Sequence, residues 1–133
     1  MNSLTRAVVQ INRVMLKNVS TVTTSTPGTG LDISAYEGIL AFTQIVGAVT
    51  GTSTLDAVIE TSTVIGSGYV TAKKTDGNNA AFAQIDNTSN HIETIFIDEA
   101  ALKQFVRWNP TVGGAGSPNY QVGCMVSAVK KYQ

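Results

Sequence analysis

Residues 119–129 read NYQVGCMVSAV. Tyr120, Val122, Cys124, Val126 and Ala128 fall on one side of an extended chain, and Gln121, Gly123, Met125 and Ser127 on the other. Side chains alternate across a strand with period two, so this stretch predicts a strand with one apolar face. Cys124 lies on that face, which favours a buried, inert thiol over a reactive one. The preceding GGAGSP, residues 113–118, lacks the Lys-Ser/Thr pair of a phosphate loop, and no helical pattern follows it. Its glycines permit positive φ, and Pro118 can open a strand without the donor it lacks. With FVRWNPTV at 105–112 before it, the segment reads as a terminal β-hairpin hinged on GGAGSP.

The same period recurs upstream. In EGILAFTQIVGAV, 37–49, Ile39, Ala41, Thr43 and Ile45 face one way and Leu40, Phe42, Gln44 and Val46 the other. Both faces are largely apolar, so this strand is expected at the centre of a packed sheet. TLDAVIETS, 54–62, turns Leu55, Ala57 and Ile59 inward and Asp56 and Glu60 outward, the pattern of a half-exposed antiparallel strand. Further strands are expected over about 14–24, in AFAQI (81–85) and in HIETIFID (91–98). Turns are expected at STPGTG (25–30) and at the Asp-Gly of KKTDGNNA (73–80). DEAALKQ, 98–104, can make one helical turn with Asp98 as its N-cap. About eight short strands between Gly, Pro, Asn and Asp turns predict an all-β fold, a jelly-roll-like antiparallel β-sandwich. The first residues are ambiguous: Leu4, Val8, Ile11 and Met15 recur at helical spacing, yet the surroundings are β-branched. The expected division is an N-terminal arm over 1–13 and a sandwich domain over 14–133.

The 133 residues suit one domain with a sizeable core. Charged residues make up 14%, against about 25% in an average soluble domain. Lys plus Arg balances Asp plus Glu, so the concentrated basic surface that nucleic acid demands is not expected. Lys73-Lys74 and Lys130-Lys131 read as solvated strand ends. Zero net charge does little to keep copies apart, which suits a protein that ends in an assembly. The lone Cys124 excludes an internal disulfide, and with the lone His91 it is too little for a Cys/His zinc site. Neither metal nor cofactor is expected. The N-terminus has no continuous apolar core of a secretory signal, and no run is long enough to span a bilayer. The chain is therefore expected to be made in the cytoplasm, without a membrane partner.

No constellation points to catalysis. Asp56 and Glu60 share a strand face but stand roughly 13 Å apart at strand rise, beyond the about 9.5 Å limit of a glycosidase pair. His91 opens a strand beside a polar loop, and nearby Ser89 is only a sequence neighbour. The expectation is that the protein is not an enzyme. Arg107 and Trp108 either lock the sheet or face a partner, since large aromatic and Arg side chains anchor interfaces.

Three stretches carry a resemblance: GTGLDISAYEGILAFTQIVGAVTGTSTLDAVIETS (28–62), IETIFID (92–98) and LKQFVRWNPTVGGAGSPNYQVGCMVSAV (102–129). The matching positions are Gly30, Asp32, Tyr36, Glu60, Ser62, Phe105, Val106 and Arg107. The pattern resembles that of tailed-bacteriophage virion proteins and is similar to small capsid cement, or decoration, proteins of jelly-roll fold. The chain departs from it at ETSTV, 60–64, where the pattern continues with acidic residues. The resemblance implies a structural protein on the outside of the phage head that bridges and stabilises neighbouring major capsid proteins. It implies no catalytic residues. Partners would be the major capsid protein and further copies of the chain, as a homodimer at twofold positions or a trimer. Candidate capsid or subunit contacts are Val8, Val9, Ile11 and Met15 of the arm, with Arg107 and Trp108. The alternative is a carbohydrate- or receptor-binding sandwich of a phage fibre or spike, with Tyr36, Tyr69, Trp108 and Tyr120 as a stacking platform.

Overall fold

The computed structural model describes residues 11–47, 53–86, 90–114 and 118–131. The strands are β1 (Ile11–Val22), β2 (Leu31–Asp32), β3 (Tyr36–Val46), β4 (Ser53–Ser62), β5 (Val70–Thr71), β6 (His91–Asp98), β7 (Phe105–Gly114) and β8 (Tyr120–Lys130). They form two four-stranded sheets, in the orders β1-β8-β3-β6 and β2-β7-β4-β5. Every pairing is antiparallel. Every connection except β4–β5 passes from one sheet to the other, which is the winding of a two-sheet jelly roll.

Alternation decides the core. Leu40, Phe42, Gln44 and Val46 of β3 and Tyr120, Val122, Cys124, Val126 and Ala128 of β8 point inward from one sheet. Leu55, Ala57 and Ile59 of β4 and Val106 and Trp108 of β7 meet them from the other. Pro110 is tolerated inside β7 because its missing donor falls on the side away from β4. On that side the ladder is already irregular: Gly28 N–H donates to the Trp108 carbonyl at 2.8 Å, and Val112 N–H to Ser25 Oγ at 2.8 Å.

Three expectations change. β7 and β8 do not form a hairpin; the chain crosses between sheets from Gly114 to Tyr120. Period two identifies a strand's buried face but not the sheet that holds it. The first strand, expected from about residue 14, already includes residues 11–13. Ile11, Asn12 and Arg13 pair with Val129, Ala128 and Ser127 of β8, so these three residues belong to an edge strand. AFAQI is not a regular strand. Its buried residues, Phe82 and Ile85, together with Ala80 just before it, are unevenly spaced and cannot all face inward on a straight strand. The segment instead kinks along β4, with Phe82 N–H donating to the Ala57 carbonyl and Ile85 N–H to the Leu55 carbonyl, each at 2.9 Å.

Other local readings match the structure. The Asp-Gly turn is closed by Lys74 N–H donating to the Asn78 carbonyl at 2.8 Å, with Gly77 at φ +87°. Asp98 caps a single 3-10 turn, Glu99–Ala101, by accepting from Ala100 N–H at 3.0 Å.

Candidate interaction surfaces

Several residues that carry the family resemblance converge at one end of the β2-β7-β4-β5 sheet. Arg107 and Glu60 are cross-strand neighbours. Arg107 Nε donates to Glu60 Oε1 at 2.7 Å, and the guanidinium lies 4.1 Å from the centre of the Tyr69 ring. Both charged side chains are mostly covered, so this pair is less screened than a fully exposed one. Tyr69 Oη in turn donates to the Ile65 carbonyl at 2.7 Å. Burial pushes the Tyr69 phenol above its ordinary range, and Arg107 partly opposes that shift. Ser62 Oγ accepts from Val64 N–H at 3.0 Å and donates to the Ser67 carbonyl, closing the 62–67 loop. Gly30 lies beneath this loop: a Cβ there would overlap Tyr69 Oη and stand 3.1 Å from the Ile65 carbonyl oxygen. Asp32 accepts from Ser34 N–H at 2.9 Å and from Gln104 Nε2 at 3.2 Å. The Ser34 bonds, backbone first, hold its carboxyl below the usual range. Gly30, Glu60, Ser62, Tyr69 and Arg107 seat a loop on a sheet, while Asp32 holds Ser34 and Gln104.

Two of the concave regions on the described surface are lined by polar side chains. One, of about 390 Å³, lies between β1 and residues 27–31, with Met15, Lys17, Asn18 and Ser20 on its β1 side. The Lys17 ammonium donates to the Asn18 carbonyl at 2.7 Å and to Ser20 Oγ, and burial lowers its pKa. The other, of about 280 Å³, is lined by Gln44, residues 83–85 and residues 91–93. There Glu93 Oε1 is occupied by Ala83 N–H at 2.8 Å. Asp56 accepts from Gln84 Nε2 at 2.9 Å and Glu60 is held by Arg107, so the two carboxylates serve different partners. Among the described residues, no group of three or more His, Cys, Asp or Glu is placed to hold a metal. Nor, among the described residues, is any helix long and apolar enough to cross a membrane. Cys124 is buried, and desolvation pushes its thiol up to about 12.

The contact residues expected from the sequence scatter. Val8 and Val9 lie outside the described residues. Ile11 and Met15 are exposed on β1. Arg107 is engaged as above. Trp108 is not a surface residue: it is 0% exposed, and its Nε1 donates to Gln44 Oε1 at 2.8 Å inside the core. It locks the two sheets together, because β7 turns Val106 and Trp108 inward and Arg107 outward. Tyr36 and Tyr120 are buried as well. Three of the four aromatics proposed for a carbohydrate platform are therefore inside the protein, and the fourth, Tyr69, lies under Arg107.

The sequence reading missed the outer face of the β1-β8-β3-β6 sheet. Ile39 and Ile45 of β3, Ile92 and Phe96 of β6, and Met15 and Val19 of β1 are all exposed there. The signal was present in EGILAFTQIVGAV, which is apolar on both faces. β3 is central in its sheet, as expected, but only its inner face is covered.

The winding recurs in solved structures. The chain is similar to the SPBc2 prophage-derived protein YomS, with a TM-score of 0.58 and 12% identity over 95% of this chain and 100% of that one. It is also similar to part of a chain in the structure of the infectious bursal disease virus Gx strain. There the TM-score is 0.53 and the identity 10%, over 91% of this chain and 32% of that one. At these identities the likeness establishes the fold, an all-β antiparallel jelly-roll sandwich. No protein-family model and no curated protein sequence matches the chain.

Proposed function

We propose that this is a structural virion protein, a cement or decoration protein on the outer surface of a tailed-phage head. It bridges and stabilises neighbouring major capsid proteins and performs no catalysis. The observation that carries the reading is the full-length match in fold to a prophage-derived protein, in a chain whose polar clusters hold its own loops. The likeness to part of a chain in the infectious bursal disease virus structure supports the same reading. A protein of this kind works by repetition: many copies, each touching several shell subunits, gain from multivalency where single contacts are weak. Residues 2–10 lead directly into the edge strand β1, and with Val8 and Val9 they form the capsid-binding segment. Quantitative mass spectrometry of purified particles tests the reading. A copy number proportional to that of the major capsid protein is expected; a few copies per particle would assign the chain to a fibre, connector or tail. Deleting residues 2–10, which leaves β1 intact, should release the protein from purified shells, and unchanged occupancy would remove the arm from the binding site.

A further inference from the structure

The outer face of the β1-β8-β3-β6 sheet is built as rows that cross the strands. Arg13, Ser127, Ala41 and Phe96 form one row, and Met15, Met125, Thr43 and Thr94 the next. Gly123, Ile45 and Ile92 continue a third, where Val19 lies over Gly123: a Cβ on Gly123 would stand 2.7 Å from Val19 Cγ2. Thr43 and Thr94 join their hydroxyls at 2.9 Å, so the polar groups near the middle of the face are neutral. The charges are peripheral: Arg13 on edge strand β1, Asp98 on the opposite edge strand β6, and Glu37 near the same end of the sheet. Ile45 is 45% exposed and Ile92 73%.

We infer that this face is where a second copy of the chain packs, sheet against sheet, about a twofold axis parallel to the strands. Three observations select that occupant. A central strand apolar on both sides belongs to a sheet covered on both sides, and the chain's own second sheet covers only one. Four strands at about 4.8 Å spacing and about 27 Å of strand from Ile11 to Val19 give a flat footprint of about 500 Å². That geometric area falls within the about 300–600 Å² of the largest exposed patch on a typical monomer, and with side-chain relief it approaches the about 800 Å² per partner of a stable interface. Two of the charges, Arg13 and Asp98, are also complementary across the axis. The axis sets β1 of one copy over β6 of the other, bringing each Arg13 against the edge that carries the other copy's Phe96 and Asp98. There a guanidinium has both a ring face and a carboxylate. The outer face of the other sheet is unlike this one, with Asp56, Glu60, Arg107 and Thr111 on it and residues 64–69 seated across it.

Light scattering coupled to gel filtration, and sedimentation velocity, on the full chain test the inference in solution without any shell. The wild type should run at twice its 14.0 kDa mass at micromolar concentration. Ile45→Lys and Ile92→Lys, each at an exposed site, should weaken dimerisation by at least about 100-fold, because a buried, unpaired ammonium opposes closure. Thr111→Lys on the other sheet should leave the dimer intact. Circular dichroism melts show whether each variant is folded, and Ile92→Glu repeats the test with the opposite charge. A wild type that remains monomeric at about 100 µM, well above the Kd of a standard interface, would overturn the inference. So would a dimer that survives all three substitutions on the face. Either result leaves the virion reading standing, since that is decided on particles.

Discussion

The bond between Trp108 and Gln44 offers the sharpest test of how the two sheets are held. Trp108 is 0% and Gln44 3% exposed, and the indole donates across the core at 2.8 Å. Gln44→Leu preserves approximate volume but removes the acceptor, leaving an indole N–H buried without a partner. Such an orphan costs about 1–3 kcal/mol. For a chain of this length that lowers Tm by about 3–5 °C per kcal/mol. Trp108→Phe removes the donor and part of the ring, orphaning the Gln44 carbonyl and opening a small cavity, for about 2–4 kcal/mol. In the double variant no polar atom of the pair remains, so the loss should fall short of the sum by about 1–2 kcal/mol. Urea denaturation followed by circular dichroism supplies all four corners of the cycle and avoids reliance on the single Trp as a probe. Additivity to within about 0.3 kcal/mol would refute the reasoning, as would a Gln44→Leu protein as stable as the wild type.

Two further outcomes follow from the packing and the buried thiol. Gly30→Ala should lower stability by about 1–3 kcal/mol, because the new methyl meets Tyr69 Oη and the Ile65 carbonyl. Adding Tyr69→Phe should restore part of the loss, and an unchanged urea midpoint in Gly30→Ala would show that the 64–69 loop is not seated there. Cys124 has its thiol pushed up to about 12 from 9.0. Between those values the folded protein keeps a proton that the unfolded chain releases, so stability should be unaffected below pH 9 and fall as pH rises toward 12. Cys124→Val should flatten that alkaline decline; a slope identical to wild type would show that the thiol does not drive it.

Much of this was legible in the chain because alternation is a local property. The inward sets Leu55, Ala57, Ile59 and Tyr120, Val122, Cys124, Val126 are buried as the period requires. The Asp76-Gly77 turn and the Asp98 cap depend on a few neighbouring residues, and both formed where expected. AFAQI failed because the buried positions around it, at 80, 82 and 85, do not share a period.

The interaction surfaces were less legible. Arg107 and Trp108 are adjacent in sequence and looked like one candidate contact, yet strand parity sends them to opposite sides of the sheet. Gly30, Glu60, Ser62 and Arg107 are far apart in the chain, and only folding makes them one loop-seating cluster. The sequence by itself determined the longer strands, their buried faces and the unusual two-sided apolarity of β3. Only the tertiary structure decided that β7 and β8 belong to different sheets, that Trp108 closes the core, and that the uncovered side of β3 opens to solvent. The physical reason is that side-chain alternation acts within a strand, whereas strand neighbours and sheet faces are chosen by contacts between residues far apart in the chain.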